Sequence, residues 1–238
     1  MRIAWSVLTA ALWCSPAFAG PPFVTDDPEP TDYGHFEIYL LSEGTFARDE
    51  SEGTLPGLEV NYGAFSDIQV SGAISEAFEN ENGTTRWQAG EAEFGVKYRF
   101  MNESDTSWQP QLAFYPSVTV ALDGESPSIL LPIWAQKSWS DWTVYGGGGY
   151  QINTARENRN NWIVGVALLR QVTSNLQLGG ELYHQTADET DEPGTSAFNL
   201  GAILDFDETH HIVMSAGRAL DGSNANHFSY YIALEWSP

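Results

Sequence analysis

From Phe36 onward, apolar and polar residues alternate with period two along most of the chain. Phe36, Ile38 and Leu40 share one face, with Glu37 and Tyr39 on the other. Leu58, Val60 and Tyr62 oppose Glu59 and Asn61; Ile68, Val70 and Ile74 oppose Gln69, Ser71 and Ser75. The fourth stretch is the clearest: Ala92, Phe94, Val96, Tyr98 and Phe100 alternate with Glu91, Glu93, Gly95, Lys97 and Arg99. A helix would spread those charges around its circumference, whereas a strand collects them on one face. The pattern predicts about twelve strands of roughly 9–13 residues. That is longer than the roughly 5–6 usual in soluble sheets and close to the roughly 9–11 that cross a bilayer when tilted.

The later strands fall near 109–122, 128–138, 141–151, 161–172, 175–186, 195–206, 209–219 and 226–236. Pro116 predicts a bulge or kink in the fifth strand, and Pro132 weakens the pattern of the sixth. The run Gly146–Gly149 predicts sharp curvature or a close backbone approach in the seventh. The eighth has no clean polar face, and its orientation stays open. The ninth sets Leu176, Leu178 and Leu182 against Gln177, Glu181 and Gln185; the tenth sets Phe198, Leu200, Ala202 and Leu204 against Asn199, Gly201 and Asp205. The eleventh sets Ile212, Met214 and Ala216 against Ser215 and Gly217. The last sets Phe228, Tyr230, Ile232, Leu234 and Trp236 against His227, Ser229, Tyr231 and Glu235.

Connections of two kinds alternate between these strands. Long acidic ones at 46–53 (FARDESEG), 76–83 (EAFENENG) and 186–194 (TADETDEPG) contrast with tight ones at 63–66, 139–140, 173–174 and 207–208. One apolar face per strand suits either a soluble sandwich or a barrel whose apolar face meets lipid. Strand length, even count and this rhythm favour the second: an all-β, antiparallel up-and-down transmembrane β-barrel of about 12 strands. An even count puts both termini on one side. In a bacterial cell outer membrane that side is the periplasm, and the long loops face outward.

Residues 1–19 read as a secretory signal peptide, with Arg2, a mostly apolar run from Ile3 to Trp13, and a small-x-small cleavage pattern at Ala17–Ala19. The run is shorter than the roughly 20 residues of a spanning helix. The one cysteine, Cys14, lies in this leader, so disulfides have no part in the mature fold. Residues 20–32, rich in proline and acid, read as a periplasmic N-terminal segment, disordered or docked on the wall, and 33–238 as the barrel. The chain carries 32 acidic against 10 basic residues, a net charge of −22. That argues against nucleic acid and against adsorption to anionic lipid through a basic patch. No later stretch has eighteen consecutive apolar residues, which excludes a helical span but not a barrel. Nine tryptophans and an aromatic content of 13% suit interface girdles.

Several segments carry a family resemblance: 21–30 (PPFVTDDPEP), 90–100 (GEAEFGVKYRF), 131–150 (LPIWAQKSWSDWTVYGGGGY), 171–184 (QVTSNLQLGGELYH) and 206–217 (FDETHHIVMSAG). Together they resemble the transporter-like outer-membrane β-barrel family named for the MetA pathway of phenol degradation, across nearly the whole mature chain. The resemblance implies a barrel in the outer membrane and says little of a substrate, because its motifs are strand and turn patterns. One departure is the C-terminus. Such barrels end in an aromatic residue read by the barrel assembly machinery, whereas here Ser237 and Pro238 follow Trp236.

The main functional expectation is a narrow passive channel or uptake barrel for small molecules or ions. Its lumen would be lined by Glu37, Glu59, Glu91, Glu93, Glu181, Asp205 and Glu235 against Lys97 and Arg99, with Tyr115, Tyr145, Tyr183 and Tyr231 as ring-stacking candidates. Wall charges of that sign favour cations if the pore is open. The alternative is a non-conducting structural barrel in which the charges pair across strands and fill the lumen. A lipid hydrolase is the enzymatic alternative: His184 and Ser196 flank one long loop with outward parity, and Asn199 and Asp188 lie near, but no third partner and no G-x-S-x-G motif mark a triad. The chain is therefore expected not to be an enzyme. His210 and His211 are adjacent and point to opposite faces, which argues against a shared metal. Asp26, Asp27 and Glu29 could bind calcium or cap the periplasmic mouth. The loop acids Asp188, Glu189, Asp191 and Glu192 read as solvated, or as holding ions that bridge lipopolysaccharide. No cofactor motif is present. The expected partners are outer-membrane lipid and lipopolysaccharide, the assembly machinery and an unidentified permeant.

Overall fold

A computed structural model describes residues 22–47, 50–124, 126–155, 158–188, 193–221 and 227–238. The leader, Glu189, Asp191 and Glu192 lie outside these residues. Thirteen strand segments are present: β1 Phe36–Phe46, β2 Glu50–Phe65, β3 Ile68–Glu81, β4 Thr84–Met101, β5 Gln111–Phe114, β6 Ser117–Ala121, β7 Ser128–Trp139, β8 Trp142–Asn153, β9 Asn161–Thr173, β10 Leu176–Gln185, β11 Thr195–Asp205, β12 His210–Ala219 and β13 Phe228–Trp236. β5 and β6 are the two halves of one strand broken at Tyr115-Pro116; both pair with β4 on one side and β7 on the other. Every strand pairs antiparallel with its sequence neighbour, and β1 pairs with β13 from Ile38↔Trp236 to Phe46↔Phe228. The result is a closed, twelve-stranded up-and-down barrel, with no sheet edge left open.

The outer face is apolar. Leu40, Ile74, Phe94, Leu182, Leu200 and Leu234 are each more than half exposed, an arrangement that only a lipid environment tolerates around a whole circumference. Aromatic pairs sit at both ends of the strands: Phe36 with Tyr62 and Trp108 with Trp139 at the end holding the termini, Phe46 with Phe228 and Tyr150 with Trp162 at the other. These are the positions of interfacial girdles.

Two of the expected long loops are strand instead. Residues 50–53 and 76–81 continue β2 and β3, and β4 begins at Thr84. The β3–β4 hairpin turns on Asn82-Gly83, both with positive φ (51° and 81°), the pair that a two-residue turn matched to strand twist requires. Acidic side chains did not prevent pairing: the ladder runs on through Phe78↔Trp87, Glu79↔Arg86 and Asn80↔Thr85 to Glu81↔Thr84. The tight connections stand at the other end, among them Ser66-Asp67 and Ser140-Asp141, although β4 and β5 are joined there by the longer 102–110.

The glycine run meets the proline it faces. Pro132 pairs with Gly149, and its carbonyl accepts the Tyr115 N–H at 3.2 Å. A Cβ on Gly149 would lie 2.7 Å from Pro132 Cα, a contact real side chains do not make. Gly149→Val is therefore expected to abolish most of the folded form, read as loss of the compact, heat-modifiable band on a semi-native gel. Gly72→Ala, whose Cβ would be 3.9 Å from its nearest neighbour, is expected to leave that band unchanged.

Candidate functional site: a lumen filled by the N-terminal segment

Residues 22–32 run inside the barrel, so the segment expected in the periplasm is part of the lumen. Pro22, Thr25, Pro28, Pro30 and Thr31 are buried. The segment is held along two faces by different forces. On one, the buried carboxylate of Glu181 (3% exposed) accepts the backbone N–H of Val24 and of Thr25, each at 2.9 Å, and the side-chain amide of Asn199 at 2.6 Å. Three charge-assisted hydrogen bonds satisfy a carboxylate that would be costly to bury alone. Ser215 adds a hydrogen bond to the Pro22 carbonyl. On the other face, Lys97 pairs with Asp26 at 3.3 Å and Asp27 at 3.7 Å, with its ammonium 5.1 Å from the centre of the Tyr115 ring. Arg99 binds Glu29 and, at 3.0 Å, Asp67; Gln111 donates to Glu29, and Gln69 accepts the Thr31 N–H at 2.8 Å. Removing one partner of a buried pair of this kind costs about 3–5 kcal/mol.

The open orientation of the eighth expected strand now has a cause. In β9 the inward face runs Asn161, Ile163, Gly165, Ala167, Leu169 and Gln171, polar only at its two ends, because its middle meets protein and not water. Ala167 and Leu169 join Tyr39, Tyr145, Ile203, Val213 and Ala233 in an apolar cluster, with Phe23 of the segment packed against it. The wall is shaved to fit: a Cβ on Gly165 would lie 2.1 Å from Thr25 Oγ1, and one on Gly201 would lie 2.7 Å from the Phe23 ring.

Two spaces remain. A chamber of about 500 Å³ opens toward the termini between the segment and β1–β4, and is lined by Glu37, Glu59, Glu93, Lys97, Tyr115 and Tyr231 among others. A vestibule of about 760 Å³ lies toward the opposite end. It is lined by Glu43, Glu52, Glu79, Glu91, Asp123 and Tyr183, with no lysine or arginine among the described residues. Among the described residues, Phe23 and Tyr231 alone line both, so this aromatic pair stands where the two spaces adjoin.

The remaining expected lumen residues are spread along the wall. Tyr145 and Glu181 lie against the segment, and Arg99 is engaged by it. Asp205 holds His211 at 2.8 Å inside the barrel, and Glu235 accepts the Ser237 hydroxyl at 2.7 Å. His210 stays outside, bound to Asp207 at 2.9 Å. Sequence reasoning passed over Phe23, Glu43, Glu52, Glu79, Asp123 and Asn61. One signal was available: three acids at 26–29 match the two basic side chains of the inward face of the fourth strand.

His184 and Ser196 do meet, with Nδ1 to Oγ at 3.0 Å, and a third group is present. It is Asp221, which accepts both the N–H and, at 3.0 Å, the hydroxyl of Ser196. Those hydrogen bonds, the backbone one first, hold the Asp221 carboxyl below the usual carboxylate range. In a nucleophilic triad the acid orients the histidine. Here it accepts the serine's hydroxyl hydrogen bond instead, so the cluster ties a loop to the wall.

No protein-family model matches the chain, and no curated protein does. Solved structures do. An outer membrane channel from Pseudomonas putida F1 superimposes with a TM-score of 0.69 at 13% identity, covering 89% of this chain and 98% of its own. The fold is that of outer-membrane channels. A KdgM porin, solved in complex with disordered oligogalacturonate, gives 0.60 at 10% identity over 84% of this chain and 98% of its own. A NanC porin gives 0.62 at 8% identity over the same shares. At these identities the likeness speaks for the architecture alone.

Phe23→Ala and Gly165→Val test the path from two sides, the first by removing the ring and the second by crowding Thr25. Each is expected to raise single-channel conductance in a planar bilayer at least twofold. Wild-type conductance in both would place the route elsewhere.

Proposed function

We propose that the protein is a passive outer-membrane channel for small molecules that prefers cations, narrowed by its own N-terminal segment. The observation that carries this reading is the vestibule, with five carboxylates and no lysine or arginine among its described lining residues. A low-dielectric wall of one charge concentrates counter-ions and excludes co-ions. Beyond the Phe23–Tyr231 constriction, Glu37, Glu59 and Glu93 continue the same sign into the chamber. The apolar outer face supports lipid and lipopolysaccharide as its surroundings. The patterned C-terminal strand, ending at Trp236, supports handling by the barrel assembly machinery. The segments that resemble the phenol-degradation family support the same class of outer-membrane barrel.

The buried, well-bonded segment favours a second reading, a structural barrel that does not conduct. The hydrolase reading has no comparable support, since the Ser196 hydroxyl donates its hydrogen bond to Asp221 rather than to His184.

Reversal potentials under a potassium chloride gradient separate these readings. Cation preference is expected for the wild type, reduced severalfold by the double substitution Glu43→Gln, Glu91→Gln. Anion preference would overturn the charge argument. Silence in both the wild type and Phe23→Ala would establish the structural barrel.

A further inference from the structure

Lys97 shows how this lumen holds an ammonium: carboxylates of Asp26 and Asp27 on one side, the Tyr115 ring on the other. Similar ingredients recur elsewhere in the chamber, at carboxylates that Lys97, engaged by Asp26 and Asp27, does not pair with. Glu59 and Glu93 both register with Ala73 on the strand between them, so they stand at one level of the wall, roughly 10 Å apart, two strand spacings. The small Ala73 leaves the gap open to the chamber. Among the described residues neither carboxylate has a lysine or arginine within ion-pair distance. Their contacts are neutral: Asn61 Nδ2 donates to Glu59 at 3.0 Å, and the Thr119 hydroxyl to Glu93 at 3.4 Å. Asn61 is only 5% exposed. With its amide nitrogen committed to Glu59, its Oδ1 is left buried without a partner on the chamber wall. Tyr231 supplies an aromatic face in the same space.

We propose that this chamber binds a small organic ammonium ion, its nitrogen over Ala73 between Glu59 and Glu93 and its body toward Tyr231. The assignment rests on the cation-preferring reading of the lumen. Two carboxylates and an unpartnered amide oxygen select a donor-rich cation, because buried carboxylates without a counter-charge are costly. An aromatic wall adds attraction for an alkylammonium. A bare metal ion fits less well: no group of three or more His, Cys, Asp or Glu among the described residues is close enough to hold one. A volume of about 500 Å³ admits a molecule the size of benzylammonium.

The test is equilibrium binding to the detergent-solubilised full chain, which requires no current. Benzylammonium is expected to bind at least tenfold more tightly than benzyl alcohol, its neutral counterpart. Glu59→Gln with Glu93→Gln should weaken benzylammonium at least tenfold, and Asn61→Leu severalfold, while Asp105→Asn in the exposed 102–110 connection leaves it unchanged. Each variant is checked for the heat-modifiable band. If the double variant does not fold, Glu59→Gln alone and Asn61→Leu carry the comparison. Equal affinity for amine and alcohol, unchanged affinity in these variants, or full displacement by equimolar potassium would overturn the proposal. Cation-selective current without benzylammonium binding would overturn it and leave the channel reading intact. Binding without current would uphold the site and remove transport.

Discussion

Closure of the sheet is the constraint on which everything else in this molecule depends. In hydrocarbon an unpaired backbone N–H or carbonyl costs several kcal/mol, so a strand that crosses lipid must be paired on both sides. The seam between β1 and β13 meets that demand for the whole ladder at once. Closure in turn creates an inside. About eight strands are filled by their own side chains, whereas about sixteen leave a channel. Twelve enclose more space than inward side chains occupy, and residues 22–32 take up the difference.

The filling is asymmetric, and the asymmetry organises the chemistry. On the side of β8–β13 small and apolar residues pack around Phe23 and Thr25, with Glu181, Asn199 and Ser215 as polar anchors among them. On the side of β2–β5 it is polar, and the contacts are ion pairs and hydrogen bonds. Lys97 and Arg99 spend their charge on Asp26, Asp27 and Glu29. The acids that remain therefore face the two open spaces with little opposing charge. In the proposed channel the segment both narrows the path and sets the sign of the field along it.

The outer half of the design was legible because lipid imposes a rule on every second residue. Phe94, Val96 and Tyr98 read as one face from the chain alone, and the structure puts them there. The break at Pro116 was equally legible, since proline removes a ladder donor locally. The inner half obeys no such rule. Inward positions alternate with lipid-facing ones, but what fills them depends on what they meet. Ala167 and Leu169 are apolar because Phe23, far away in the chain, packs against their cluster. The 46–53 and 76–83 stretches were obscured for a different reason: their acids resemble loop composition, while Thr, Ser and an Asn-Gly turn carry the hairpins onward. Residues 22–32 have no period at all, and their place becomes visible only through Glu181, Ser215 and Lys97.

The bonds from Glu181 and Ser215 to the first described residues also impose an order of events. Val24 meets Glu181 across 157 positions and Pro22 meets Ser215 across 193, contacts of the kind that close late because so much chain must first be arranged. The segment is joined directly to β1, one side of the seam, and its anchors stand on β10 and β12, close to the other. It therefore has no complete berth until the last staves are in place. A truncated or misregistered barrel would lack the carboxylate, the hydroxyl and the glycine recesses together. The N-terminus is in this sense a gauge of finished assembly, seated only when the cylinder around it is whole.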